Sequence, residues 1–370
     1  MRWRDRIEHL YRQASAGPGA IPLGGGFPAP HLFPSDALAD ASSRVLHQLG
    51  QQVLQYDWPE GQEALRVWIA DRLRRRGADV EPEDVLVTSG AQQALAIAAA
   101  LLLQEGDVVG MDPATYPGAV EIFAGRGARP CARRDAWARV LYRMPELANP
   151  TGRVMTGPER EALLARGVDV LEDEAYAELR FDGPPGEPLL ARDREKVWHV
   201  GSFSKTLSPG MRVGWLVPPR CRFHEAAELK KLQDIQSNGL TQAALVDFLA
   251  HDDFDARLER SRRYYARQAE ILMDACRRHL PDWRFEAPAG GFSLWLEAPT
   301  SGRGIDFLAT AVRHGVTFDP GRMFHPGGRD GRLDLRVCFS GVSRKDLEEG
   351  ARRLGAAWRD YRGSGGRLAR

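Results

Sequence analysis

A chain of 370 residues with 43% hydrophobic content has the length and apolar material for two or three structural units around a sizeable core, which excludes disordered, collagenous and small disulfide-stapled classes. Its 51 Lys+Arg against 50 Asp+Glu leave a net charge of +1, without the basic excess of a dedicated nucleic-acid binder. Only Lys196, Lys205, Lys230, Lys231 and Lys345 are lysines, so 46 of those basic residues are arginines, and a lysine kept against such a bias invites a chemical reason.

Along the chain, Trp3, Ile7, Leu10 and Tyr11 fall on one helical face. The surrounding MRWRDRIEHL is charged throughout and lacks the apolar core of a secretory leader, so a cytoplasmic location is expected. Leu65, Trp68, Ile69 and Leu73 make a second stripe that stops at Gly77. From Glu83 to Val217, β-branched runs alternate with helical patterns: Val85 to Thr88, a helix from Ala91 to Leu103, Val108 to Met111, a helix from Gly118 to Ala124, then runs beginning at Val140, Val168, Val197 and Val213. This rhythm predicts an α/β unit with a mostly parallel, buried sheet. The aliphatic run from Ala94 to Leu103 is half the length needed to cross a bilayer, so no membrane partner is expected. Helices are predicted near Glu225 to Gln236, Thr241 to Ala250 and Asp255 to His279. Beyond them lie strands at Phe292 to Leu296 and Leu333 to Phe339 and a helix from Ser343 to Tyr361, the pattern of a smaller α+β unit. The expected division is an N-terminal helix and arm over 1–35, a large unit over 36–254 and a small unit over 255–370. The Gly/Arg-rich tail from Gly363 to Arg370 is expected to fray. Arg72-Leu-Arg-Arg-Arg and Arg260-Ser-Arg-Arg, with Asp71 and Glu259 beside them, read as solvated helix faces, so no nucleic-acid partner is expected. Cys131, Cys221, Cys276 and Cys338 have no short spacing and read as reduced thiols, with no metal site.

Four of the lysines have ordinary surface explanations: Lys230 and Lys231 in a charged helix, Lys345 at a helix start and Lys196 before a strand. Lys205 stands in the hydroxyl-rich Gly201-Ser-Phe-Ser-Lys-Thr-Leu-Ser-Pro-Gly-Met-Arg212, just past a strand, where open α/β sheets gather their chemistry. An ammonium can lose its proton and act as a nucleophile, which a guanidinium does not. Asp173 and Tyr176 in Leu171-Glu-Asp-Glu-Ala-Tyr leave the same edge of the sheet, where a carboxylate could pair with a protonated ring nitrogen and a phenol with a neighbouring oxygen. Asn149 opens Asn149-Pro-Thr-Gly152, and Tyr116 lies in Thr115-Tyr-Pro-Gly118; taken singly, each reads equally as a turn. Thr88-Ser89-Gly90-Ala91-Gln92-Gln93 joins a strand to a helix, whose first N–H groups offer a seat for a phosphate.

The ordered set SGAQQ, TYPG, NPTG, DEAY and SFSK followed by Arg212 resembles the fold-type I pyridoxal-phosphate enzymes of the class I/II aminotransferases. It looks closest to the 2-aminoadipate aminotransferase-like branch, which also supplies a domain of winged-helix regulators. The likeness runs from about Leu23 to Ser340. It implies that Lys205 holds the cofactor aldehyde as a Schiff base and later moves a proton, while Asp173 keeps the pyridine nitrogen protonated. Asn149 and Tyr176 would bind the ring hydroxyl and Tyr116 would stack on the ring. Phosphate contacts would come from Ser89, Gly90, Ala91, Gln92, Ser202, Ser204 and Arg212, with Tyr56 reaching the phosphate of a neighbouring subunit in a homodimer. Arg336 in Leu335-Arg-Val-Cys-Phe-Ser340 resembles the arginine that forks the substrate α-carboxylate, with Asn149 beside it and Gly25 of the Leu23-Gly-Gly-Gly-Phe-Pro arm lying over the substrate. The implied partners are an α-amino acid and a 2-oxo acid, in amino acid metabolism. The alternative is elimination from a cysteine conjugate, or another reaction at Cα on the same cofactor; release of pyruvate and ammonia without an oxo-acid acceptor would distinguish it. A cofactor-sensing domain without turnover is disfavoured because only one short helix precedes Leu23. The spans from Tyr116 to Asn149 and from Asn149 to Asp173, 33 and 24 positions, look short for the family, which bears on substrate range.

Overall fold

The first apolar stripe folds into α1 (Trp3–Ala16), with Ile7 and Leu10 buried. The computed structural model describes residues 3–16, 19–132, 137–328 and 332–363, so the tail beyond Gly363 lies outside the described residues. A two-residue strand, β1 (Ile21–Pro22), leads into the glycine arm, which is followed by α2 (Ser35–Leu49) and α3 (Glu63–Arg74). The alternating region forms β2 (Leu86–Thr88), α4 (Ala91–Leu102), β3 (Val108–Met111), α5 (Pro117–Gly125), β4 (Arg129–Ala132) and β5 (Val140–Arg143). It continues through α6 (Gly157–Leu164), β6 (Asp169–Asp173), β7 (Val197–Ser202) and β8 (Gly214–Val217). Helices α7 (Phe223–Asp234), α8 (Gly239–His251) and α9 (Phe254–His279) precede β9 (Ser293–Glu297) and α10 (Gly304–Arg313). The chain closes with β10 (Val316–Thr317), β11 (Asp319–Pro320), β12 (Asp334–Cys338) and α11 (Arg344–Gly363).

Among the described residues, seven strands form one sheet in the order β2-β8-β7-β6-β5-β3-β4, in which β8 runs against both neighbours and every other pair is parallel. Side chains alternate between its faces. Tyr142, Leu171, Trp198 and Val200 join the core beneath α4 and α5, whereas Leu141, Val170 and Val197 join the core shared with α3 and α8. That parity places Asp173 on the face opposite its neighbour Glu172, which pairs with His199 instead. A second, antiparallel sheet has the order β11-β12-β9, and β1 pairs with β10 beside it. Its core is aromatic, with Trp283, Phe307, Phe318, Trp358 and Tyr361 in mutual ring contact.

Several elements lack a strong signal in the sequence. α2 buries only Ala41 and Val45. α6 is short and charged, held at its start by a capping box between Thr156 and Glu159. β4 reads Arg-Pro-Cys-Ala, a combination tolerated because it is an edge strand. The two spans that look short still carry α5, β4 and β5 in one and α6 in the other.

Two surface expectations are corrected. Lys230 is not on the surface: its side chain is fully buried and its Nζ donates to the Asp234 carboxylate at 2.9 Å, one helical turn on. The basic clusters are not uniformly solvated either. Arg72 and Arg262 converge on Glu178, and Arg76 forks the buried Glu174 at 2.6 and 2.8 Å, so three arginines tie α3 and α9 to the loop that follows β6. A carboxylate with a planar partner can be buried where an unpaired charge cannot. All four cysteines are unpaired, and no helix among the described residues is long and apolar enough to cross a membrane.

Candidate active site

The parallel strands β3, β5, β6 and β7 end together, and the loops that leave those ends meet α4 and the small sheet around a cavity of about 280 Å³. Its lining includes Lys205, Asp173, Tyr176, Asn149, Tyr116, Ala91, Gln92, Ser202, Ser204, Arg212, Arg336 and Gly25, all expected from the sequence, together with Met144, Pro209, Met323 and Phe324, which were not. Ser89, Gly90 and Tyr56 do not line it. The Ser89 hydroxyl turns away to Asp234, the same carboxylate that Lys230 holds, and its carbonyl accepts from Arg212 at 3.1 Å. Tyr56 is 75% exposed and faces outward.

One end of the cavity suits a phosphate. No side chain caps α4, so its first N–H groups are open to an anion. The Arg212 guanidinium lies across that helix start, 3.4 Å from the Ser204 hydroxyl, and Ser202 and Ser204 are linked at 2.9 Å. Gly90 holds a φ of +80° and a ψ of 170°, a backbone conformation that strains any other residue, and a Cβ there would also push on Arg212 Nη2 at 2.5 Å.

At the floor, the fully buried Asp173 accepts from the Tyr142 hydroxyl at 2.7 Å and from the Ala175 N–H at 3.0 Å. Burial raises the pKa of this carboxyl, and those two donors oppose the rise without cancelling it. A carboxylate so placed has a use for one more donor carrying positive charge, and a protonated ring nitrogen fits that description. Tyr142 was missed by sequence reasoning, because its place on the Asp173 face follows from the register that pairs it with Leu171 across two strands, which leaves no local signal. Above the floor, Lys205 Nζ donates to the Gly26 carbonyl at 3.2 Å and sits 5.4 Å from the centre of the Tyr176 ring. Tyr116 bonds Gln92 at 3.0 Å, and burial, helped by Asp173, pushes its phenol up to about 12, so it stays neutral at ordinary pH.

The opposite wall comes from the small sheet. Arg336 Nη1 donates to Asn149 Oδ1 at 2.9 Å, and its guanidinium lies over the Phe324 ring at 4.8 Å. His325, beside it, joins two parts of the chain. Its Nδ1 faces the Pro113 carbonyl at 2.6 Å, on the loop that carries Tyr116, and its Nε2 faces the Asp334 carboxylate at 2.8 Å. Both partners are acceptors, so both ring nitrogens can donate only when the ring is protonated, and the arrangement favours the imidazolium. Burial and Arg332 work against that charge, but Asp334 and the Pro113 carbonyl outweigh them and raise the pKa. A raised folded pKa contributes stability that is fully present below the unfolded value of about 6.5 and is lost as pH rises through the folded value. His325→Gln is therefore expected to destabilise the protein by about 1–2 kcal/mol at pH 6 and by much less at pH 9. Urea unfolding at the two pH values checks this, and a deficit that is the same at both would refute it.

Comparison with known proteins identifies the family. The model of the family "Aminotransferase class I and II" matches residues 21–135 and 145–354. The chain is 35% identical over 365 residues to the 2-aminoadipate transaminase of Thermus thermophilus, covering 92% of this chain and 90% of that protein. It is 30% identical to YisV, a helix-turn-helix-type transcriptional regulator of Bacillus subtilis, covering 89% of this chain and 72% of the regulator. Among solved structures it matches LysN, the α-aminoadipate aminotransferase from Thermus thermophilus, complexed with N-(5'-phosphopyridoxyl)-L-leucine. That match has a TM-score of 0.87 and 32% identity and covers 98% of this chain and 100% of that one. With the family's model matched over most of its length and its sheet built in the same way, the chain belongs to the class I and II aminotransferases, fold-type I enzymes that use pyridoxal phosphate.

Proposed function

We propose that Lys205, Asp173 and Arg336 are the residues through which this aminotransferase moves an amino group between an α-amino acid and a 2-oxo acid. The observation that carries this reading is their convergence on one cavity, with an amine, a buried carboxylate and a planar cation on three different walls. Pyridoxal phosphate, when bound, supplies the electron sink. Asp173 holds a proton on the ring nitrogen, and Tyr142 fixes the orientation of that carboxylate. Lys205 is the cavity's one amine among the described residues and carries the proton to and from the substrate Cα. Asn149 and Tyr176 orient the ring, Tyr116 covers it, and Ala91, Gln92, Ser202, Ser204 and Arg212 hold the phosphate. Ser89 and Gly90 serve from behind, through the Asp234 contact and the space left for Arg212. Arg336 takes the α-carboxylate, with Gly25 over it.

The same reading extends to a cytoplasmic homodimer that acts in amino acid metabolism. Exposed Phe27, Leu54, Tyr56 and Trp58 support a surface that a second copy covers, bringing Tyr56 to the partner's phosphate. The division at 35 and 254 is supported by the pairing of β1 with β10 and by the packing of α2 on α8. For substrate, the similarity to the 2-aminoadipate enzyme nominates that amino acid, and Met144, Met323 and Phe324 on the wall favour an apolar donor such as leucine. The test is a panel of amino donors added to the cofactor-loaded protein without any acceptor, read by conversion of the cofactor to its amine form. Recovery of the starting spectrum with 2-oxoglutarate or pyruvate completes the cycle. If no donor converts the cofactor, the reading fails.

A further inference from the structure

Arg336 does not meet its ligand as a free cation. Asp319, on β11 directly across from it in the sheet, is 2% exposed, and its Oδ2 accepts from both Nε at 2.9 Å and Nη2 at 2.7 Å. The side-on edge of the guanidinium is therefore taken. What remains is the end-on edge of Nη1 and Nη2, where Nη1 also donates to Asn149 Oδ1 at 2.9 Å and Gly26 of the arm lies close to the guanidinium. The carboxylate is built in from its other sides as well. Its Oδ1 accepts the Tyr11 hydroxyl of α1 at 2.7 Å, and the Gly25 N–H donates to its two oxygens at 3.1 and 3.0 Å. Gly24 leaves room for it, because a Cβ there would stand 2.9 Å from Oδ1.

We propose that Asp319 is a positioning and affinity-setting residue: it confines the substrate's α-carboxylate to the end-on edge of Arg336 and keeps that carboxylate weakly held. This inference rests on the reading of Arg336 as the carboxylate receptor. Between turnovers Asp319 neutralises a buried guanidinium that would otherwise be costly to desolvate. When substrate binds, two carboxylates share one cation. At a separation of about 6 Å and an effective dielectric near 20, their repulsion weakens binding by about a hundredfold. A transaminase releases a product bearing the same carboxylate in each half-reaction, an oxo acid in the first and an amino acid in the second, so loose binding at this point speeds the exchange of product for the next substrate.

The experiment measures the Kd of 4-methylpentanoate, a carboxylate with no amino group to transfer, by titration calorimetry on the cofactor-loaded protein. Asp319→Asn keeps the shape and removes the charge, and its Kd is expected to fall by about a hundredfold. A purely structural role would loosen Arg336 and raise Kd. Tyr11→Phe disturbs the same carboxylate but keeps its charge and is expected to bind within about twofold of wild type; a tightening there as large as in Asp319→Asn would overturn the electrostatic account. Arg336→Gln should lose binding. If it does while Asp319→Asn binds no tighter than wild type, the proposal is overturned and the reading of Arg336 stands. If Arg336→Gln binds like wild type, the reading of Arg336 falls, and the proposal with it.

Discussion

Lys205→Ala is expected to slow amino transfer by about 10⁴-fold, the upper end for loss of a positioned proton-transfer group. Three features of its surroundings argue for so large an effect. It is the one amine on the cavity wall among the described residues, so no neighbour can substitute. Its Nζ is held 3.2 Å from the Gly26 carbonyl on the arm that also skirts Arg336, which fixes its position relative to the substrate end of the site. It also follows the Ser202–Ser204 turn, whose hydrogen bonds set the direction in which the chain leaves β7. Borohydride reduction of wild-type protein should fix the cofactor covalently on the peptide that contains Lys205, and the variant should show no label. A label on any other lysine would refute the assignment. Lys205→Arg should be no better than Ala, because a guanidinium keeps its proton.

Asp173→Asn is expected to cost about 10²–10³-fold in turnover, the scale seen when one preorganised electrostatic partner is removed from a buried site. Asparagine retains the shape: its one oxygen can accept from the Ala175 N–H while its amide nitrogen donates to the Tyr142 hydroxyl oxygen, so the fold should tolerate it. What it cannot do is hold a positive charge on its ring-facing side. The variant should therefore still bind pyridoxal phosphate, with the loss appearing in kcat rather than in KM for the amino donor. Tyr142→Phe, one contact further out, should show a smaller loss of the same kind. A turnover for Asp173→Asn within a few-fold of wild type would mean that the carboxylate's charge does not take part in the reaction.

The sequence made the sheet legible because its strands are buried on both faces and read as uninterrupted β-branched runs, and it made the site legible because one motif follows each of several strands. The small sheet's contribution was only half visible. Arg336 could be found from its motif, but Asp319, its cross-strand neighbour, lies in Val316-Thr-Phe-Asp-Pro, where nothing marks an aspartate as buried. The same holds for His325 and Phe324: their roles depend on which loop of the large sheet lies against them, and such long-range proximity leaves no local periodicity. Lys230 shows the opposite difficulty. A lysine among charged neighbours looks solvated until the helix is docked against α4, and only then does its pairing with Asp234 become the reason it is there.

The hydrogen bond between Tyr11 and Asp319 joins residues 308 positions apart, and β1 pairs with a strand, β10, that is almost as distant. During synthesis, the N-terminal helix therefore leaves the ribosome long before the surface that will hold it exists. Its apolar face, with Ile7 and Leu10, must wait for α10 and β10 while the large sheet folds. Closures of this kind are slow, because the loop entropy is lost before the contacts are gained. The wait also leaves an adhesive helix exposed on a nascent chain. The end of the cavity where Arg336 meets Asp319 is thus the last part of the molecule to be assembled, and a truncation near the C-terminus would release the first residues of the chain along with the last.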